Sequence, residues 1–316
     1  MYSEEQKIKV IIFGSNGLVG TSLTSVLSQD EKFTVIPSNR ATVDLFNFEK
    51  TKDFISSNNP DVIINAAAKV GGIFANNNQR VEFILENLKI NMNILESCID
   101  NNKIKIINLG SSCIYPVNAN NPIKEDYIMS GSLEPTNSPY AMAKLSAIEI
   151  GNALNLQYGH NVINLMPTNL YGPYDNFHPV NSHVIPGLIN RIHIAKEQNS
   201  NNVEIWGDGS PLREFLYVDD LSKAIKFILL NEINNNLINV GSSSEVSILE
   251  LAKKIVEVVN YSGNLIFDKT KPNGNNRKLL DSSLIFSYGW VPETNLEMGL
   301  KKTYNWYLEN ISYLRN

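Results

Sequence analysis

Short apolar runs alternate with longer amphipathic stretches through the first half of the chain. Lys9 to Phe13 (KVIIF) is an unbroken apolar run that ends in a glycine-rich turn, and beyond it Leu23, Val26 and Leu27 fall at helical spacing. Phe33 to Pro37 is a second strand-like run, 53–58 reads as helix, and Pro60 to Ala68 (PDVIINAAA) reads as a buried strand. Phe83, Ile84, Leu88, Ile90, Met92, Ile94 and Leu95 set a helical period across 80–101. Ile104 to Ser112 is strand-like, 140–158 is helical, and NVINLMP follows as another strand. The strand runs lack polar alternation, as a sheet covered on both faces requires. Strands separated by helices of this length predict an α/β fold with a parallel, doubly wound sheet.

After Thr168 the texture changes. Residues 171–183 (YGPYDNFHPVNSH) are too polar and irregular for a core element and suit the wall of a binding region. VEIWGDG, REFLYVDD, a helix near 219–231, NLINVGS, and helices near 247–260 and 295–309 follow. They predict a smaller C-terminal α/β substrate domain, with some chain returning to the first sheet. No internal repeat is visible.

Composition narrows the function classes. The 316 residues are 43% hydrophobic and 19% charged, ordinary for a globular protein, and the net charge of -5 argues against nucleic acid or an anionic membrane as main partner. The first residues, MYSEEQKIKV, lack the apolar stretch of a signal peptide, and no apolar run is long enough to span a membrane. Two cysteines do not make a disulfide framework, and no Cys/His spacing suggests a metal site, so a cytoplasmic, metal-free enzyme or binding protein is expected.

The turn after the first strand is Gly14-Ser15-Asn16-Gly17-Leu18-Val19-Gly20. In a strand–turn–helix setting, the first glycine permits the tight turn, the second admits a diphosphate to the backbone, and the third lets helix and strand pack. The helix N-terminus then offers N–H groups to the diphosphate. The structural alternative is a plain tight turn. Val35 to Arg40 (VIPSNR) carries no acid to accept from a free ribose 2′-OH, and Arg40, with Asn16 as a neutral donor, favours NADP over NAD. Asp44-Leu45 suits either an adenine contact or the cap of the next helix.

Tyr140 and Lys144 stand at i and i+4 on one helical face, with Pro139 suited to the helix start. A buried lysine cation lowers the pKa of a nearby phenol, which could then exchange a proton with a carbonyl oxygen. Ser111, at the end of a parallel strand, could hold the same oxygen, because ligands gather at the carboxyl ends of such strands. Cys113 stands two residues further on and reads as core filler, disulfide partner, metal ligand or reagent. Cys98, inside a helical pattern, reads as filler.

With these motifs the chain resembles the extended short-chain dehydrogenase/reductase family over nearly its whole length. Six ordered blocks carry the likeness: AAAKVGGI (66–73), LGSSCIYP (109–116), LEPTNSPYAMAK (133–144), MPTNLYGPYDNFHPVNSHVIP (166–186), EIWGDGSPLREFLYVDD (204–220) and RKLLD (277–281). The likeness is strongest to members that act on GDP-4-keto-6-deoxy sugars. It implies NADPH-dependent 3,5-epimerisation and 4-keto reduction of GDP-4-keto-6-deoxy-D-mannose to GDP-L-fucose. The implied architecture is a Rossmann-type NADP-binding domain of residues 1–172 and about 216–240, and a nucleotide-sugar domain of about 173–215 and 241–316.

By the same resemblance, Tyr140 is the proton donor, Lys144 its partner and nicotinamide-ribose ligand, and Ser111 the third member. Leu109, Gly110, Ser111 and Ser112 match one cofactor wall, and Pro167, Thr168, Asn169 and Leu170 another. Cys113 and His183 match the epimerising pair, with His183 also beside the cofactor and His178 the second choice. A C4 ketone acidifies the C3 and C5 hydrogens, so inversion needs two groups of moderate pKa on opposite faces. Arg191, Trp206 and Arg213 match the nucleotide-sugar contacts. Read without the likeness, Arg191 is a solvated helix charge and Trp206 core. His160 and His193 read as surface or helix positions.

One position departs from the pattern: Asn273 stands where the family commonly has Asp, in KPNGNNRKLLD, with Lys278 close by. An amide accepts through one oxygen only, which puts the nucleotide contacts in question. The competing enzyme readings are the same chemistry on a related sugar such as a heptose, or reduction alone. A non-catalytic nucleotide-sensing protein would be expected to lack Ser, Tyr or Lys, and all three are present. The likeness also implies a homodimer; the long helices of 80–101 and 140–158 could pair with their copies, and the sequence pattern alone does not distinguish that face from one packed on the sheet.

Overall fold

The apolar run after the N-terminus becomes the first strand of a parallel sheet because it is buried on both faces: Val10, Ile11, Ile12 and Phe13 are all fully enclosed. The computed structural model describes residues 7–179, 181–233, 235–271 and 275–314. In chain order its elements are β1 (Ile8–Phe13), α1 (Leu18–Ser28), β2 (Phe33–Ser38), α2 (Phe48–Asn58), β3 (Val62–Asn65), α3 (Ile73–Asn78), α4 (Arg80–Glu96), β4 (Lys105–Leu109), α5 (Ser138–Tyr158), β5 (Asn161–Pro167) and β6 (Asn169–Tyr171). Then come α6 (Val184–Glu197), β7 (Asn202–Trp206), β8 (Leu212–Tyr217), α7 (Val218–Leu230), β9 (Leu237–Val240), β10 (Glu245–Ser247), α8 (Ile248–Val259), β11 (Asn264–Asp268), β12 (Arg277–Lys278), α9 (Ser283–Ser287) and α10 (Leu296–Leu314).

Six parallel strands form the main sheet in the order β2-β1-β3-β4-β5-β9. One face packs on α1, α7 and α9, the other on α2, α4 and α5. The fold is therefore α/β and doubly wound. From β1 the chain steps to β2 on one side, then returns to β3 on the other. That reversal opens a crevice at the carboxyl ends of the strands, where ligands bind in such sheets. The remaining strands make two small sheets, β10-β8-β12 with β6 also on β8, and β11 on β7. A second apolar core joins them to α6, α8 and α10.

Several expected elements are shorter than the apolar runs. The run 60–68 is strand only over β3, because Ala66 to Ala68 leave the sheet and line the crevice. The run 104–112 stops at Leu109, and Ser112–Ile114 is a 3-10 turn. The helix of 80–101 ends at Glu96.

The sheet interior carries an amide chain. Asn65, Asn108 and Asn164 are register neighbours on β3, β4 and β5. Asn108 Nδ2 donates to Asn164 Oδ1 at 2.9 Å, Asn65 Nδ2 donates to Asn91 Oδ1 at 2.9 Å, and Ala67 N donates to Asn65 Oδ1 at 3.2 Å. Pairing of this kind offsets the cost of burying amides, and the last bond fixes the backbone where the chain leaves the sheet.

Candidate active site

One cleft of about 1340 Å³ runs over the switch point and on between α6, β7 and β8. A single small ligand usually fills about 300–1,000 Å³, so there is room for two ligands side by side. The glycine turn forms one end. Gly14 has φ +82, a conformation open to glycine, and a Cβ there would sit 2.7 Å from Ala67 N. A Cβ on Gly20 would meet Gly14 O at 2.1 Å, so α1 could not approach β1 with any side chain there. Gly17 meets only Gly14 O within 4 Å and lines the cleft ahead of α1. A backbone cradle with a helix N-terminus behind it fits the diphosphate of a dinucleotide.

Asn16, Leu18, Val19 and Arg40 line the same end, and Pro167, Thr168, Asn169 and Leu170 line the cleft at the end of β5 and beyond, on the other side of β4. Ser15 and Gly20 do not. Ser15 turns back onto β2, its N–H donating to Ser38 O at 3.0 Å. Arg40 is exposed just past β2, and Asn39 Nδ2 donates to Asn16 Oδ1 at 3.3 Å, which ties that loop to the glycine turn. Asp44 and Leu45 face the cleft. Asp44 does not cap α2; Asn47 does, accepting from Lys50 N.

The middle of the cleft gathers Leu109, Gly110, Ser111, Ser112, Cys113, Tyr140, Lys144 and His183. β4 delivers the first five at its carboxyl end, and the first turns of α5 deliver Tyr140 and Lys144. Lys144 is 2% exposed; its Nζ donates to Leu109 O at 2.7 Å and lies 5.8 Å from the Tyr140 ring centroid. Burial disfavours the ammonium and lowers its pKa to about 8. The phenol of Tyr140 does not show the expected lowering. Burial raises it first and the neighbouring Cys113 adds to the rise, while a hydrogen bond with Ser111 opposes them. Lys144 directs its proton to a backbone carbonyl, so the phenol is tuned by Ser111 and Cys113 instead.

Cys113 is half-buried, and Asn137 Nδ2 donates to its Sγ at 3.3 Å. His183 stands immediately before α6. It is exposed to the cleft it lines, and desolvation by the walls around it lowers its pKa. Its loop rests on a glycine pair: Gly72 N donates to Asn181 O at 3.2 Å, and a Cβ on Gly72 would stand 2.5 Å from Ser182 O. His178 is exposed and off the cleft wall; its Nδ1 accepts from Asn181 N at 3.1 Å, a loop-holding role.

At the far end stand Arg191, Trp206 and Arg213, with Lys278. Trp206 is 41% exposed, so it is not core, and the Arg191 guanidinium carbon lies 5.8 Å from its ring centroid. Arg191 is no free helix charge: Nη1 donates to Glu204 O at 3.2 Å and Nε to Gly187 O at 3.3 Å. Arg213 Nη1 donates to Leu212 O at 2.8 Å. Burial lowers the pKa of both arginines. Asn273 lies outside the described residues.

Of three other titratable positions, His160 departs from the surface reading, His193 is the helix position it was read as, though buried, and Cys98 is the enclosed filler expected. His160 is buried rather than on the surface, with Nε2 3.3 Å from Ile99 O. His193 lies inside the second core, with Nδ1 3.1 Å from Tyr304 Oη. Cys98 is fully enclosed, and burial pushes its thiol up to about 12. Sequence reasoning missed Asp175 and Asn137, both on the cleft wall. Asp175 is 7% exposed; Oδ1 accepts from Asn176 N at 2.7 Å while Oδ2 is enclosed without a partner, and burial raises its pKa to about 7.

A glycine cradle at the switch point of a doubly wound sheet, facing a Ser–Tyr–Lys set, defines a dinucleotide-dependent enzyme site. The chain belongs to the NAD dependent epimerase/dehydratase family, whose model matches residues 10–241. It is 45% identical over 307 residues to GDP-L-fucose synthase 1 of Arabidopsis thaliana, covering 97% of this chain and 95% of that protein. It is 44% identical over 313 residues to GDP-L-fucose synthase of Escherichia coli K12, covering 96% of this chain and 98% of that one. A GDP-D-glycero-L-gluco-heptose synthase of Campylobacter jejuni, solved in the presence of NADPH, superposes with a TM-score of 0.88 at 31% identity, covering 97% of this chain and all of that one.

Proposed function

We propose that the chain inverts C3 and C5 of GDP-4-keto-6-deoxy-D-mannose and reduces its C4 ketone with NADPH, giving GDP-L-fucose. The observation that carries this is the convergence of Ser111, Tyr140, Cys113 and His183 on one stretch of a cleft with a dinucleotide cradle at one end and a cationic, aromatic end opposite. Likeness to GDP-L-fucose synthases at 44–45% identity, against 31% for the heptose enzyme, favours the hexose substrate.

The glycine turn and α1 hold the cofactor diphosphate, Arg40 the 2′-phosphate, and Leu109 to Ser112 with Pro167 to Leu170 enclose the nicotinamide end. NADPH supplies the hydride. Ser111 and Tyr140 hold the C4 oxygen, and Tyr140 gives it a proton as the alcohol forms. Lys144 anchors the cofactor ribose from its bond to Leu109 O. Cys113 and His183 handle the protons on the two faces of the ring. Arg191 and Arg213 meet the GDP diphosphate with bidentate forks, and Trp206 offers a flat apolar face to sugar or base. The segments 1–172 and about 216–240 serve the cofactor, and about 173–215 and 241–316 serve the sugar nucleotide.

A homodimer through α4 and α5 completes the reading. Val81, Leu85 and Met92 on α4, and Met142 and Leu156 on α5, are large apolar side chains left exposed on packed neighbouring helices. No helix among the described residues is long and apolar enough to cross a membrane. Two free thiols suit a reducing cytoplasm.

The test is incubation with NADPH and the keto-sugar in D₂O, with the product read by NMR. Deuterium at C3 and C5 with a reduced C4 is the expected result. Reduction without exchange would leave the reductase reading alone, and no NADPH oxidation would overturn both.

A further inference from the structure

Among the described residues three acids line the cleft: Asp44, Glu134 and Asp175. Asp44 stands at the glycine-cradle end, past β2, where Oδ1 accepts from Phe46 N at 3.0 Å. Asp175 keeps Oδ1 on Asn176 N, and its Oδ2 is sealed inside the protein. Glu134 stands beside the reacting stretch, because its turn leads into α5 and Asn137 of that turn reaches Cys113 Sγ at 3.3 Å. Its carboxyl is held from one side: Oε2 accepts from Thr136 Oγ1 at 2.5 Å and from Asn137 N at 3.2 Å. The turn is clamped in its own right from α4, with Arg80 Nη1 donating to Pro135 O at 2.8 Å and Nη2 to Ser138 Oγ at 3.2 Å. With Oε2 spent on the turn, Oε1 makes no bond among the described residues and, unlike Asp175 Oδ2, is not sealed in. The neighbouring Lys144, Arg213 and Lys278 are donors only. Sugar hydroxyls donate too, and an O–H enclosed without an acceptor weakens binding.

We infer that Glu134 is a substrate-binding residue whose free Oε1 accepts a hydrogen bond from a ring hydroxyl of the sugar. The inference rests on the sugar-nucleotide reading above and deepens it. In the keto-sugar C1 bears the diphosphate, C4 the ketone and C5 the methyl group, so the ring hydroxyls are those on C2 and C3. A site built to bond a hydroxyl rejects an analogue lacking it far more strongly than an apolar pocket rejects a change of size. Glu134 thus selects a sugar that keeps its ring hydroxyls over one deoxygenated further.

Glu134→Gln separates sugar binding from turn building. The amide oxygen can take over the bonds from Thr136 and Asn137, and Nε2 then presents a donor where Oε1 accepted. KM for the keto-sugar, followed by NADPH oxidation, should rise about tenfold, the scale of leaving one hydrogen-bonding group unpaired. Dissociation constants for GDP and for NADPH, measured by calorimetry, and the melting temperature should stay at wild-type values, because neither ligand carries the sugar. The KM penalty should disappear with whichever of the 2-deoxy and 3-deoxy keto-sugars lacks the bonded hydroxyl. A wild-type KM in Glu134→Gln, an equal loss of GDP affinity, or a penalty that persists with both deoxy analogues would overturn the inference. Impairment in Glu134→Ala beside a normal Glu134→Gln would also overturn it, leaving Glu134 a role in the turn alone. A wild-type chain that oxidises no NADPH with the keto-sugar would overturn the functional reading and this inference with it, an outcome distinct from wild-type turnover that Glu134→Gln leaves unchanged.

Discussion

Replacing Asp175 by Asn should change how stability depends on pH. The carboxyl titrates at 3.8 when unperturbed and near 7 in the fold, because burial penalises its charge and one oxygen has no partner. Between those values the folded chain keeps a proton that the unfolded chain has released. Stability therefore falls as pH rises from about 4 to about 7, and the full penalty is present above 7. Each pH unit of that window is worth about 1.4 kcal/mol, so the window spans roughly 4 kcal/mol. Asn cannot ionise and removes this component. Its Nδ2 would take the place of the partnerless Oδ2 and cost about 1–3 kcal/mol as an unpaired donor. That cost is the same at every pH, so the slope isolates the carboxyl. Urea unfolding of both proteins at pH steps from about 4.5 to about 8 should show the stability difference, Asp175→Asn variant minus wild type, rising by several kcal/mol. Parallel curves across the range would refute the reasoning, because the carboxyl would then have found a partner or water in solution.

Gly20→Ala should destabilise the fold by about 1–3 kcal/mol, the usual scale of overpacking, since its Cβ would lie 2.1 Å from Gly14 O; thermal melting and NADPH titration by fluorescence should fall together. Tyr140→Phe keeps the ring that packs edge-on to Phe83 but removes the hydroxyl proposed as the proton donor. Ketone reduction should drop by about 10²–10⁴-fold while NADPH affinity holds, and equal loss of both would remove Tyr140 from the chemistry. Asn164→Leu leaves Asn108 Nδ2 without its acceptor inside the sheet, a loss of about 1–3 kcal/mol in urea unfolding.

The glycine turn, the strand runs and the Tyr140–Lys144 pair were legible because each depends on local spacing. Strand ends were less so. Ala66 to Ala68 are as apolar as β3, and hydropathy cannot separate a strand from a cleft wall. His160 and Asp175 were misread or missed because their burial comes from distant chain, as with the contact between His160 and Ile99. Asn137 stood inside a quoted block, yet its partner is 24 residues away. The tuning of Tyr140 also escaped the i, i+4 argument. That spacing says Lys144 is near, and only three-dimensional packing shows its ammonium turned to Leu109 O.

The tract from Ala66 to Gly72 touches the first glycine of the cradle at one end and supports the His183 loop at the other. It works as a caliper: seven residues set the gap between the glycine cradle and the loop that carries His183. Nothing in that span can lengthen or twist without moving both jaws. Epimerisation and reduction therefore share one gauge, and drift in this segment would degrade both activities of the cleft together.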